Sequence, residues 1–369
     1  MKSITKITTA ILLTIGLALQ STLACTGITL RAKDGAVVYG RTLEWGQFPM
    51  KSRVMITPRG YEFGGTTPEG KSKGHQWTAK YGTVGIELLE TDIMADGINE
   101  KGLTMGLFYH PGFAEYKKFD PAHADKAISL VDLGPYILGQ CETVAEAREA
   151  LGKVDVVAVT DPNFGFPPPG HMIVTEPSGK AIVVEFLKGE TVIFEAPLGV
   201  ITNSPTYDWH MTNLRNYVNL SAVALPTKTV EEIDFAPLGG GSGMIGLPGD
   251  YTPPSRFVRA VAFSKTARPT TDGPETVYEL FRILDNFNLP LGAAEGSDDA
   301  EEGGFNERSA TIWTTAHDTK NKVMYFHTQH NRRVQMVDLT KIDFDGFDTI
   351  KRISFGEKKQ DIKDITPEN

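Results

Sequence analysis

The sequence predicts an α+β fold, with strands and helices in successive blocks around one core. Three features carry that expectation. β-rich runs separated by tight-turn residues occupy 25–45, 83–113, 171–196 and 309–339. Helical spacing is confined to the blocks between them. No internal repeat or long linker breaks the chain, so residues 25–369 read as one domain.

"CTGITLRAKDGAVVYGRTLEW" (Cys25–Trp45) is the first element. Its two β-rich halves flank Asp34-Gly35, a strong tight-turn signal, and predict a hairpin. Antiparallel pairing then brings Arg41 and Glu44 close to Cys25. Residues 47–80 are rich in Gly, Lys and Thr and read as loop. Thr83–Phe113 alternates short apolar runs with turns and predicts further strands. "AISLVDLGPYILGQ" has helical spacing broken at Gly134-Pro135. "TVAEAREALGKV" follows, with Thr143 and Glu146 spaced as a capping box. His171–Ala196 reads as a meander with turns at Pro177-Ser178-Gly179 and Lys188-Gly189. "GVITNSPTYDWHMTNLRNYV" runs from strand into helix. "PSRFVRAVAFSKTA" and "PETVYELFRILDNF" are two amphipathic helices, and Ser309–Leu339 returns to strands.

The amino terminus predicts export. Lys2 and Lys6 precede the apolar run Ala10–Leu19, and small residues lead up to Ala24, the arrangement of a signal peptide over residues 1–24. That run is short for a membrane span, and membrane insertion is not expected. A periplasmic or secreted protein is expected. A lipoprotein signal is the competing reading, but Thr22 and Leu23 stand in the wrong order for one. The net charge is −9, and losing Lys2 and Lys6, each +1, takes it to −11. An acidic chain without a basic block lacks the surface that nucleic acid requires.

Cleavage after Ala24 would leave Cys25 at the new terminus. Its α-amine titrates near ~8 and its thiol near ~8.5, so one residue supplies both a nucleophile and a general base. Arg41 would favour the thiolate, and Glu44 could orient the ammonium form. The other cysteine, Cys141, reads as a small buried thiol, and two cysteines do not make a disulfide framework. No histidine has the local context of a papain-like protease. "GGGSGM" lacks the last glycine of a serine-hydrolase elbow, and "HTQH" (His327, His330) is a weak metal pair. An exported binding protein without catalysis is the alternative of another class.

The stretch Cys25–Trp45 resembles the start of the choloylglycine hydrolase and penicillin V acylase family. "ADGINEKGL" (Ala95–Leu103), "ITNSPTYDWHMTNLRNY" (Ile201–Tyr217) and "LPGDYTPPSRFVRA" (Leu247–Ala260) are similar to three further motifs of that family, in the right order. The resemblance runs from Cys25 to about residue 340. It implies a four-layer αββα N-terminal nucleophile hydrolase that cleaves linear amides between a bulky apolar acyl group and a small polar amine, without a cofactor or metal. It implies Cys25 as nucleophile, Asn203 and the Tyr109 backbone N–H as oxyanion donors, and Arg41 and Arg256 as flanking charges. Glu44 stands where the family commonly has Asp. Tyr109 is similar to the penicillin V acylases, whereas bile salt hydrolases tend to have Asn there. Conjugated bile salts are the first expected substrate class, with penicillin V and N-acyl homoserine lactones behind them. Trp45, Trp77, Phe108, Tyr109 and Phe113 are candidate pocket walls. The family often forms tetramers, so a homo-oligomer is expected.

Overall fold

The computed structural model describes residues 25–46, 49–294 and 309–367; the expected signal peptide lies outside them. Fourteen strands build two large sheets: β1 (Cys25–Arg31), β2 (Val37–Trp45), β3 (Arg53–Thr57), β4 (Thr83–Leu88), β5 (Ile93–Asn99), β6 (Thr104–Tyr109), β7 (Gly170–Thr175), β8 (Ala181–Leu187), β9 (Glu190–Glu195), β10 (Val200–Ile201), β11 (Ala310–Asp318), β12 (Val323–Thr328), β13 (Gln335–Asp338) and β14 (Lys351–Ser354). One sheet runs β10-β1-β2-β11-β12-β13 and the other β9-β8-β7-β6-β5-β4-β3-β14. Every neighbouring pair in both is antiparallel.

Among the described residues, five α-helices flank the sheets: α1 (Leu133–Gln140), α2 (Val144–Leu151), α3 (Tyr207–Asn213), α4 (Pro253–Thr266) and α5 (Gly273–Leu284). Helices α4 and α5 pack on the six-stranded sheet, and α1 and α2 on the eight-stranded one. The order is helix, sheet, sheet, helix, which is the expected four-layer α+β sandwich. Antiparallel sheets buried on both faces need apolar residues on both, and β2 is buried along its whole length. One core fills the space between the sheets and under α4 and α5; a second lies between the eight-stranded sheet and α1 and α2.

The β1–β2 hairpin forms as expected, with Gly35 at φ +85° in its turn. The capping box at α2 forms by half. Thr143 accepts from the Glu146 N–H, but the Glu146 carboxylate accepts from the Glu142 N–H, one residue earlier than the box requires. The Gly134-Pro135 break is the first turn of α1, where a missing N–H costs no helical bond. The loop reading of 47–80 is corrected. "RVMIT" is strand β3, and Glu62–Gly64 pairs with Gln76–Thr78. Composition hid β3 because Gly and Lys lie around it, whereas its own Val54, Met55 and Ile56 are buried between β4 and β14.

Candidate functional site

The hairpin register pairs Cys25 with Leu43 and Gly27 with Arg41. Paired residues share a face, so Cys25 and Arg41 both look toward the other sheet. Gly27 leaves room there: a Cβ on it would lie 2.7 Å from the Phe108 ring. Phe108 and Ile201 take that space, and the Arg41 guanidinium lies 4.1 Å from the centre of the Phe108 ring and donates to the carbonyls of Ala95 (3.1 Å) and Leu107. Thr26 and Glu44 lie on the opposite face, toward α4. Glu44 accepts from the Thr311 hydroxyl at 2.8 Å, and its Oε2 is buried without a partner among the described residues.

On the other side of β1, the β10 register pairs Gly27 with Ile201. Continuing it by two residues sets Asn203 opposite Cys25. The Cys25 N–H donates to Asn203 Oδ1 at 2.9 Å, and Asn203 Nδ2 donates to the Tyr109 carbonyl at 2.7 Å. An amide nitrogen carries two hydrogens, so one stays available to a ligand. Arg256 enters from the first turns of α4. It donates to Asn203 Oδ1 (2.7 Å), the Cys25 carbonyl (2.5 Å), the Thr26 hydroxyl (3.0 Å) and the Tyr251 carbonyl (2.8 Å). Five residues expected at the site (Cys25, Arg41, Tyr109, Asn203 and Arg256) thus meet. Glu44 lies beside them, its charge acting on both Cys25 and Arg256, but its carboxylate bonds Thr311 while the Cys25 nitrogen is held by Asn203.

Burial governs the electrostatics. It pushes the Cys25 thiol up, while Arg41 and then Arg256 pull it down and the Glu44 carboxylate adds to the rise. It lifts Glu44 to about 7 against the opposing pull of Arg256, and lowers Arg256 to about 10. The two cations favour negative charge at the sulfur and at any oxygen developing beside it, whereas burial and the Glu44 carboxylate oppose it.

Cys25 opens on an apolar cavity of about 90 Å³, walled by Leu43, Trp45, Met50, Phe108, Tyr109, Leu130, Val131 and Phe164 among others. A larger cavity of about 570 Å³ adjoins it and shares Ile93, Leu130, Val131 and Pro168. Two expected walls are corrected. Trp77 lines only the larger cavity, stacked on Phe63 at 5.2 Å and edge-on to Tyr136, because its short strand packs toward α1. Phe113 lines neither: the turn at Gly112 (φ +78°) carries it out over His110, where it is 42% exposed. Phe164 and Pro168, in the loop before β7, were missed. The signal was there in the apolar "FGFPPP", but which strand ends that loop would cover is not a local property.

Cys25 and Cys141 are both free thiols in different cores, and burial pushes Cys141 up to about 12. Among the described residues, the group able to approach one metal ion is His110, His171 and Glu185, not the His327–His330 pair.

Burial lowers His110 and His171 to about 3 and His210 and His327 to about 4. Each stays neutral in the fold while its unfolded counterpart takes up a proton below ~6.5. Their stabilisation is therefore complete above ~pH 6.5 and is lost as pH falls toward 4. Glu44 and Glu185, both raised to about 7, act in the opposite sense between ~4.5 and 7, but two groups oppose four. The expected result is a melting temperature that drops on going from pH 6.5 to pH 4, measured by calorimetry. An unchanged or rising value would contradict it.

The comparisons with known proteins agree with this geometry. Residues 25–352 match the profile described as linear amide C–N hydrolases, choloylglycine hydrolase family. The bile salt hydrolase/transferase of Clostridium perfringens is 30% identical over 329 residues, covering 87% of this chain and 94% of that protein. A crystal structure of a variant of the conjugated bile acid hydrolase from the same organism superposes with a TM-score of 0.79 at 29% identity, over 93% of this chain and all of that one. The penicillin V acylase of Agrobacterium tumefaciens shares the fold, with a TM-score of 0.71 at 24% identity over 91% and 93% of the two chains. The chain belongs to the choloylglycine hydrolase family of linear amide C–N hydrolases.

Proposed function

We propose that the exported, mature enzyme begins at Cys25 and hydrolyses conjugated bile salts through that residue's thiol. The observation that carries the reading is the Asn203 amide, held between Arg256, the Cys25 nitrogen and the Tyr109 carbonyl, the last two belonging to residues that line the apolar cavity. The family match also starts at Cys25. The free α-amine takes the thiol proton, and the sulfur attacks the amide carbonyl carbon. The oxyanion is held by the second Asn203 N–H and the Tyr109 backbone N–H. Collapse expels the amine, which takes the proton from the α-ammonium, and leaves a thioester. Water, deprotonated by the same α-amine, then releases the acid and the thiol. Glu44 supplies the negative charge near the ammonium. A steroid acyl group suits the apolar walls, with the adjoining cavity as further room.

Penicillin V is the second reading, favoured by Tyr109, whose ring meets Trp45 edge-on at 6.5 Å beside Cys25. Intact mass and N-terminal sequencing of the exported protein test the processing. Parallel assays with glycocholate, penicillin V and a long-chain acyl homoserine lactone test the substrate. A chain starting elsewhere, or a lipid on Cys25, overturns the mechanism. Turnover of penicillin V but not glycocholate overturns the substrate assignment alone.

The enzyme is also proposed to be a periplasmic or secreted homotetramer. In support, the hairpin Lys228–Val230/Ile233–Phe235 exposes Val230, Ile233 and Phe235, and Leu238 beyond it is fully exposed. Ile233→Asp with Phe235→Asp is expected to lower the mass measured by light scattering. A monomeric wild type, or an unchanged oligomer in the double variant, would refute that role for the hairpin.

A further inference from the structure

Behind Asn203 lies a group of buried side chains that the hydrolytic chemistry does not use. His171 Nε2 stands 3.0 Å from the Thr202 carbonyl, His210 Nε2 2.9 Å from the Asn203 carbonyl, and His110 Nε2 3.3 Å from the Pro205 carbonyl. A carbonyl only accepts, so all three rings carry their hydrogen on Nε2. The Ser204 hydroxyl donates to the Pro111 carbonyl at 2.7 Å. Residues 202–205 are thus tied at every position, three times by an imidazole.

The rings are themselves fixed. His110 and His171 stack with ring centres 4.1 Å apart and planes within 4° of parallel, and His210 stacks on Phe257 at 4.6 Å. With Nε2–H committed to Thr202, His171 Nδ1 presents a lone pair to Glu185 Oε1, 3.3 Å away, which also accepts from the Tyr207 N–H at 2.8 Å. Burial raises Glu185 to about 7 and lowers His171 to about 3, which suits a neutral acid donating to a neutral ring. The arrangement is poor for a metal. Stacked rings hold their lone pairs in separate, nearly parallel planes, so a single ion cannot lie in the plane of both.

We propose that His110, His171 and His210 are positioning residues that clamp the Thr202–Pro205 backbone and so aim the Asn203 amide at the oxygen of the carbonyl that Cys25 attacks. The inference rests on the oxyanion role of Asn203 given above. Losing an oxyanion donor outright costs ~10²–10³ in kcat, and a misaimed one is expected to cost part of that. The test uses the mature full-length enzyme and the amide substrate it turns over. His210→Phe keeps the stacked ring and removes the donor; His210→Gln keeps an N–H near Nε2, and the same pair of changes is made at His171. The Phe variants are expected to lose about 10-fold or more in kcat with KM within about two-fold, and the Gln variants to regain most of it. Placed on Asn203→Ala, His210→Phe is expected to have no further effect on kcat, because its target is gone. A folded His210→Phe with wild-type kcat overturns the clamp, as does a loss that persists undiminished on Asn203→Ala. Where a Phe variant does not fold, the Met variant at the same position, which also removes the donor, is read by the same criteria. Full activity in Asn203→Ala alone is the separate outcome in which the oxyanion reading fails, and the clamp with it.

Discussion

Changing Cys25 to Ala in the mature protein is expected to lower amide hydrolysis by at least about 10⁴-fold while the fold survives. The side chain lost is small and adds little apolar burial beyond a methyl group, so the melting temperature should move by only a few degrees. The effect is on chemistry, because sulfur is the atom proposed to bond the carbonyl carbon. A second form of the protein separates thiol from amine. A chain left uncut before Cys25 keeps the thiol and the register that sets Asn203 opposite it. Its Cys25 nitrogen is then a peptide nitrogen with no basic lone pair, so it too should be inactive. Burial already pushes the thiol up, and Arg41 and Arg256 only partly oppose it, so a base is needed to populate the thiolate. Single-turnover kinetics on the three forms check this; an uncut chain with full activity would exclude the amine as base.

Changing Asn203 to Ala is expected to lower kcat by ~10²–10³, with KM nearly unchanged. The difference in KM and kcat follows from where the amide sits. It lies beside Cys25, and in the proposed mechanism it meets an oxygen whose charge appears only in the transition state. The same change strands buried partners. Arg256 loses an acceptor at 2.7 Å and the Tyr109 carbonyl a donor at 2.7 Å. Unmet buried groups cost about 1–3 kcal/mol, so the variant should also melt several degrees lower. Steady-state kinetics with calorimetry separates the two effects. A variant that is destabilised yet keeps its kcat would make Asn203 a structural residue only.

Much of this site is local in the chain. The Asp34-Gly35 turn and two β-rich runs determine the hairpin, and the hairpin's register brings Arg41 to the face of Cys25. Helices α4 and α5 follow from their apolar periodicity, and the strand-to-helix change around Asn203 is visible in its residues. The motifs of the family located Asn203 and Arg256, which spacing alone did not tie to Cys25.

What the sequence by itself determined was the hairpin, the strand and helix blocks, and the residue types available for amide hydrolysis. The tertiary structure decided which of those residues meet. The Asn203 contact spans 178 positions and the Arg256 contact 231, and each depends on a sheet edge or a helix docking that no local pattern encodes. It also decided that Trp77 and Phe113 leave the Cys25 cavity, that Phe164 enters it, and that β3 and β14 join a sheet despite their polar surroundings. The three imidazoles behind Asn203 come from β7, α3 and the loop after β6, and only their burial and their shared direction toward one backbone segment reveal them as a unit. Period and propensity are properties of neighbours along the chain. Burial, desolvation and convergence of side chains are properties of the packed layers, and these set both the charge at Cys25 and the aim of the amide beside it.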